Sequence, residues 1–144
     1  RYYAHPRNAF WPIVGELCGF APELPYARRL VLLRQRGIAL WDVLSRCERP
    51  GSLDSAIARD SAEPNDFAGF FARHRGIRAV GCNGATAHDL YRRRVLPRLP
   101  AEFAALPLLR LPSTSPAHAG RSLSRKLEAW RTELSPWLVS TGPA

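Results

Sequence analysis

Residues 77–94 read I-R-A-V-G-C-N-G-A-T-A-H-D-L-Y-R-R-R, which predicts a short strand followed directly by a helix. The apolar run at 77–82 suits a buried strand, and the helix is predicted at 85–94. Asn83 and Gly84 lie between the two and favour a tight turn. A strand that passes through a tight turn into a helix is typical of α/β proteins.

The rest of the chain continues this alternation of strands and helices. Apolar runs at 38–44 and 106–111 predict two more strands. Further helices are predicted at 10–19 and 26–36, after the start signal Pro64-Asn65-Asp66, and around Leu123, Leu127, Trp130 and Leu134. Strands separated by helices require right-handed crossovers, which produce a parallel sheet covered on both faces. The predicted fold class is therefore α/β, and 144 residues suffice for a single domain.

Parallel sheets bind ligands at the carboxyl ends of their strands. In this chain those ends are Trp41-Asp42, Asn83-Gly84 and P-S-T-S at 112–115, and the segment 2–8 is expected beside them. Each has a structural explanation as well as a functional one. The aromatic residues of 2–11 can form core with Asn8 as a helix cap, Asp42 can pair with an arginine, and Asn83-Gly84 can serve only as a turn. The hydroxyls at 113–115 can contact phosphates or mark a helix entry.

Composition narrows the class of protein. With 21 basic and 12 acidic residues the net charge is +9, which fits a polyanionic partner such as nucleic acid. The three cysteines are scattered and form no metal or disulfide pattern, so small buried side chains and no metal are expected. No apolar run approaches the roughly 18 residues of a membrane span, and no secretory signal occurs, so a cytoplasmic protein without membrane contact is expected. The chain contains no Met and is expected to be a fragment.

Six stretches match a known family in its own order. They are Y-Y-A-H-P-R-N-A-F-W at 2–11, G-I-A-L-W-D-V at 37–43, C-E-R-P-G-S-L-D-S at 47–55, P-N-D-F at 64–67, C-N-G at 82–84 and L-P-S-T-S-P-A at 111–117. Together they resemble the uracil-DNA glycosylase superfamily, and within it the hypoxanthine-DNA (deoxyinosine) glycosylase branch. Each stretch is weak alone, but the ordered set covers nearly the whole chain.

The resemblance implies a three-layer α/β/α fold with a central parallel sheet and no cofactor. It implies hydrolysis of the bond between a deaminated base and deoxyribose in DNA, after the base is flipped out of the helix, with an abasic site as product. Family members carry a first strand just before the Tyr-Tyr pair. This chain begins after that strand, so its domain at 1–144 is expected to be N-terminally incomplete.

The resemblance also implies roles for individual residues. Asn8 resembles the catalytic asparagine of the branch, whose amide orients a water or donates to the leaving base. The residues expected to form the base-binding pocket are Tyr3, His5, Phe10, Asp42 and Asn83. The DNA backbone is expected to contact Ser113, Thr114 and Ser115, and the gap left by the flipped base is expected to be filled by Pro116, Ala117 or His118.

Several alternatives remain open within this interpretation. The preferred base is hypoxanthine, uracil or both; Leu111 occupies the place of a catalytic histidine in the uracil-specific branch, which argues against a dedicated uracil enzyme. A glycosylase specific for G:U or G:T mismatches and a non-catalytic DNA-binding protein on the same fold are the runners-up. The only lysine, Lys126, lies in the last helix, so no lyase step is expected. The expected partner of this monomer is double-stranded DNA, with single-stranded DNA left open.

Overall fold

A computed structural model describes residues 2–44, 63–117 and 120–139 of the chain. The helices are α1 (Phe10–Cys18), α2 (Tyr26–Gln35), α3 (Phe67–Arg73), α4 (Ala85–Leu90), α5 (Ala101–Ala104) and α6 (Leu123–Leu134). The strands are β1 (Val80–Asn83) and β2 (Leu108–Leu111). One π-helical turn, Tyr91–Val95, continues α4. The predicted motif at 47–55 lies outside the described residues.

The two strands form a parallel pair, which confirms the α/β class and its parallel sheet. Val80 pairs with Leu108, and the register continues to Asn83 and Leu111. Asn83 pairs with Leu111, so Cys82 lies one residue before the partner of Leu111. Because side chains alternate along a strand, Cys82 and Leu111 point to opposite faces of the sheet. Each face has its own hydrophobic core, so helices cover the sheet on both sides as predicted.

The two cores use different helices. Leu111 packs with α1, α2 and α6 in the first core, where the buried side chains include Phe10, Leu33 and Trp130. Cys82 packs in the second core with α3 and the helix after β1, through buried residues Phe67, Phe71, Tyr91 and Val95. Asp66 begins α3 by accepting a hydrogen bond from the Gly69 amide at 3.0 Å, which confirms the predicted helix start.

The prediction of a strand at 38–44 is wrong for the described structure. This segment forms no ladder, and only Leu44 makes an isolated antiparallel bridge, to Pro64. Residues 37–43 and 76–83 line the same cavity of about 540 Å³. A ladder requires two backbones within hydrogen-bonding distance, and these two segments share a cavity without forming one. Gly81 of β1 is correspondingly exposed.

The last helix differs from its predicted pattern at its start. Leu123, one of the apolar residues named for this helix, is 55% exposed and follows the capping residue Ser122. Lys126 and Trp130, one turn apart, are the buried residues of this helix. The Trp130 Nε1 donates to the Pro112 carbonyl at 2.8 Å, which ties α6 to the loop after β2. Across the described ranges, no helix has the length and apolarity to cross a bilayer.

Candidate active site

The cavity follows β1 along its length and reaches the carboxyl end of the strand. Its lining there includes Tyr2, Tyr3, Trp41, Asp42 and Asn83. Three of the segments predicted to converge at this edge thus line one cavity. The fourth, the loop after β2, joins them through hydrogen bonds to Asn83. The cavity volume of about 540 Å³ lies in the range of small-molecule sites, roughly 300–1,000 Å³.

Tyr3 is held on one side of the cavity by its backbone and by ring stacking. Its φ of 57° is left-handed, a conformation that costs a non-glycine residue about 1–2 kcal/mol. Its ring stacks on Phe10 with centroids 4.1 Å apart and planes 19° apart. Burial raises the pKa of the Tyr3 hydroxyl, contact with Asn83 partly offsets this, and the Asp42 carboxylate raises it further. The hydroxyl therefore stays protonated at neutral pH.

Tyr2 lies beside Tyr3 and also lines the cavity. Burial raises the pKa of its hydroxyl, and the nearby Asp42 carboxylate raises it further. The Tyr2 amide donates to the Tyr26 hydroxyl at 3.0 Å, and the Tyr2 carbonyl accepts from Trp11 Nε1 at 3.1 Å. These bonds fix the start of the aromatic segment to α1 and α2.

Phe10 connects this segment to the core. The side chain is 3% exposed, lines the cavity and makes edge contacts with Trp11 and Trp130 at centroid distances of 5.0 and 5.9 Å. One face of Phe10 is covered by Tyr3. Phe10 therefore supports the Tyr3 ring, which also lines the cavity.

Asn8 has a fixed amide orientation. Its Oδ1 accepts a hydrogen bond from the Phe10 amide at 2.9 Å, which places the residue at the entry to α1. Its Nδ2 makes no hydrogen bond to any residue in the described ranges. Asn8 is half-buried and lies outside the cavity lining, two residues before Phe10, which belongs to it. Within the described ranges, the donor edge of the amide thus has no hydrogen-bond partner, and the neighbours that line the cavity are Tyr3 and Phe10.

His5 does not form part of the pocket wall, contrary to the prediction. The side chain is exposed and absent from the cavity lining. Its Nδ1 accepts a hydrogen bond from the Arg7 amide at 3.1 Å, and its carbonyl accepts from the Asn8 amide at 3.0 Å. These bonds form a turn that directs the imidazole toward solvent.

Asp42 lines the cavity opposite the two tyrosines, where the sequence places it. The Asp42 carbonyl accepts from Asn65 Nδ2 at 2.8 Å, and the same amide group also donates to the Leu44 carbonyl at 3.3 Å. The Asn65 backbone amide bonds the Val43 carbonyl at 2.9 Å. Asn65 therefore anchors the segment that positions Asp42. From the sequence, Asn65 was predicted only to belong to a helix start. Its position in the motif P-N-D-F at 64–67 was the one indication of a further role.

Asn83 and Thr114 form a reciprocal pair. Asn83 Nδ2 donates to Thr114 Oγ1 at 2.9 Å, and the Thr114 amide donates to Asn83 Oδ1 at 3.0 Å. Thr114 is 1% exposed, so the prediction that its hydroxyl contacts the DNA backbone is wrong in this conformation. Gly84, at φ 100°, allows the turn after β1 to approach the loop at Ser113 closely. A Cβ at position 84 would lie 3.1 Å from the Ser113 Cβ.

The remainder of the loop stays accessible. Ser113 Oγ accepts from the Ser115 amide at 3.1 Å, and Ser115 Oγ accepts from the Ala117 amide at 3.2 Å. Both hydroxyls keep a proton to donate, so their contact with phosphate stays a prediction. Pro116 is half-buried and Ala117 is exposed, and their gap-filling role is likewise a prediction. His118 lies outside the described residues.

Comparison with known proteins identifies the relatives of this chain. It is 36% identical over 90 residues to a hypoxanthine DNA glycosylase of Methanosarcina acetivorans, a match covering 62% of this chain and 56% of the relative. The chain is thus similar to a protein named as a hypoxanthine DNA glycosylase. A second such protein, from Methanosarcina barkeri, is 36% identical over 69 residues, which are 47% of this chain and 42% of the relative. The chain thus spans about half the length of the relatives it matches. No family model and no solved structure matches it.

The relationship to hypoxanthine-DNA glycosylases confirms the resemblance inferred from the ordered motifs. It also directs attention to exposed arginines that sequence analysis did not single out. Arg7 lies next to Asn8, while Arg121 and Arg125 follow the loop at 112–117, and all three are exposed. Exposed cationic side chains are suited to contact with a polyanion. In the sequence, these arginines could have been recognised because they lie within or just after the motifs at 2–11 and 111–117.

The two buried thiols in the described residues are not activated as nucleophiles. Cys18 and Cys82 are free and buried, as predicted for small apolar residues. Burial raises the pKa of the Cys82 thiol to about 11 and that of the adjacent Tyr91 hydroxyl to about 12. Both groups stay neutral at physiological pH. Over the part of the chain that the structure describes, no three His, Cys, Asp or Glu side chains gather into a metal site.

Proposed function

We propose that this protein is a monofunctional DNA glycosylase that removes hypoxanthine, and to a lesser degree uracil, from DNA. The observation that supports this most directly is the Asn8 amide, whose Oδ1 accepts from the Phe10 amide while Nδ2 has no partner in the described ranges, in a segment whose Tyr3 and Phe10 line the cavity. The names of the two relatives point to the same chemistry. Double-stranded DNA is the proposed partner of a monomeric, cytoplasmic enzyme.

The substrate base would leave the helix and enter the cavity between Tyr3 and Asp42. Extrusion costs roughly a few kcal/mol and costs least at a mispaired base, which favours deaminated bases. Tyr3 offers a ring for stacking, and the protonated tyrosine hydroxyls offer donors to a carbonyl. Hypoxanthine and uracil both present a ring N–H, and the Asp42 carboxylate is an acceptor for it.

Asn8 would then act on the leaving base. Cleavage of the glycosidic bond proceeds through an oxocarbenium-like transition state, in which negative charge develops on the base. A donor held in place before the reaction stabilises that charge without reorganisation. The Phe10 amide fixes the Asn8 side chain in the orientation that presents Nδ2. Water is the nucleophile, because Lys126 is buried in α6 and does not line the cavity.

A panel of lesions tests the proposed function. Labelled duplexes carrying one hypoxanthine or uracil opposite each normal base are incubated with the protein and then treated with alkali. We expect strand cleavage at hypoxanthine, weaker cleavage at uracil and none at adenine or cytosine in the same position. Cleavage without alkali would contradict the monofunctional mechanism, and intact strands throughout would refute the proposed function.

Arginines beside the site are expected to set the salt dependence of binding. Each phosphate contact that is lost lowers the slope of log affinity against log salt by about 0.9. Arg7→Ala and Arg125→Ala should each lower this slope by about one contact, measured by fluorescence anisotropy with a hypoxanthine duplex at several salt concentrations. Arg34→Ala, in the exposed last turn of α2, is the matched control and should leave the slope unchanged. Equal salt slopes for all three variants would show that Arg7 and Arg125 do not contact DNA phosphates.

A further inference from the structure

Thr114 lies where three segments of the site meet. Its amide and hydroxyl bind the Asn83 side chain at the end of β1, at 3.0 and 2.9 Å. Its carbonyl accepts a hydrogen bond from the Ala9 amide at 2.9 Å. Ala9 separates Asn8 from Phe10, so one buried residue joins the strand end to the segment that bears the Asn8 amide.

The Asn83–Thr114 pair leaves few hydrogen-bonding groups of either side chain for a ligand. Asn83 uses both Oδ1 and Nδ2 on Thr114, and its side chain also contacts Tyr3. Thr114 uses its amide, its carbonyl and a lone pair of its hydroxyl, and at 1% exposure it cannot reach a phosphate. Ser113 and Ser115, its neighbours, are half-buried and retain accessible hydroxyls.

We infer that Thr114 is a positioning residue, which acts through Asn83 and Ala9 to hold Asn8 in place relative to the end of β1. This inference rests on the proposed function for its catalytic consequence. Small displacements of a reacting group lower rates steeply, since a shift of about 1 Å can cost on the order of 10²-fold. Loss of the Thr114 hydroxyl would leave Asn83 Nδ2 without its partner and loosen the junction.

Kinetics and binding together separate positioning from phosphate contact. We expect Thr114→Val to lower the single-turnover rate of hypoxanthine excision by about 10- to 100-fold, with DNA affinity and its salt slope unchanged. Thr114→Ser keeps the hydroxyl and should restore most of the rate. Ser115→Ala, at an accessible hydroxyl, should instead weaken binding. A lower salt slope for Thr114→Val at an unchanged rate would overturn the inference. Thr114→Ala tests the same atom if the valine variant does not fold.

Amide hydrogen exchange tests the junction without catalysis. Asn83→Leu removes both bonds to Thr114 but touches neither Ala9 nor its hydrogen-bond acceptor. If Thr114 transmits position, the Ala9 amide should exchange at least about 10-fold faster in this variant, while amides within β2 keep their protection. Unchanged exchange at Ala9 would overturn the inference. Faster exchange at Ala9 in a protein that excises no base would uphold the junction and refute only the proposed function.

Discussion

Replacement of Asn8 by alanine is expected to lower the single-turnover rate of hypoxanthine excision by about 10²–10³-fold. The loss of one preorganised donor to a developing anion has this magnitude, which corresponds to about 3–4 kcal/mol. Affinity for the DNA should change little, because the Asn8 side chain is small and lies outside the cavity lining. The rate is measured with excess enzyme on a labelled hypoxanthine duplex, and affinity by anisotropy.

Asn8→Asp separates two possible roles of the amide. Aspartate keeps an oxygen to accept from the Phe10 amide but replaces the free Nδ2 donor with a second acceptor. If donation to the leaving base is the function, the aspartate variant should be as slow as the alanine variant. A fast Asn8→Asp enzyme would show instead that an acceptor orients the attacking water. Gln35→Ala, which removes an exposed amide at the end of α2, is the control and should retain the wild-type rate.

Phe10→Ala is expected to destabilise the protein by about 3–5 kcal/mol, the usual effect of truncating a buried phenylalanine. Phe10 is 3% exposed and contacts the rings of Tyr3, Trp11 and Trp130. Its truncation would therefore leave a buried cavity between these three rings. Urea unfolding followed by tryptophan fluorescence measures the change in the free energy of unfolding. Because Phe10 also supports Tyr3, the cavity wall at Tyr3 should lose order together with the core.

Two variants calibrate this stability measurement. Phe10→Leu keeps most of the buried volume and should cost less than about 1.5 kcal/mol. Leu123→Ala, at a 55% exposed position, should change stability by at most about 0.5 kcal/mol. A cost below about 1 kcal/mol for Phe10→Ala would contradict the packing described for the first core.

Local chemistry explains the parts of the fold that were predicted correctly. Asp66 can cap a helix with its own side chain, and Asn83-Gly84 can form a turn, whatever the rest of the chain does. The strand-and-helix order then leaves a parallel pairing as the natural arrangement of β1 and β2. The convergence of Tyr3, Asp42 and Asn83 on one cavity follows from that arrangement.

The errors concern properties that depend on partners elsewhere in the chain. Residues 38–44 have the composition of a strand, but a strand exists only where a second backbone lies within hydrogen-bonding reach. His5 belongs to an aromatic cluster in sequence, yet its turn directs it to solvent. Thr114 was grouped with Ser113 and Ser115, although contact with Asn83 and Ala9 buries it.

The amino-acid sequence by itself determined the α/β class, the helix start at Asp66, the excess of positive charge and the set of motifs that resembles hypoxanthine-DNA glycosylases. Only the tertiary structure decided which polar groups have no hydrogen-bond partner within the described ranges, as at Asn8 Nδ2, and which bond one another, as in the Asn83–Thr114 pair. The physical reason is that turns and caps are satisfied by neighbours in sequence. The use of a buried donor or acceptor is instead set by the distant segment that packs against it.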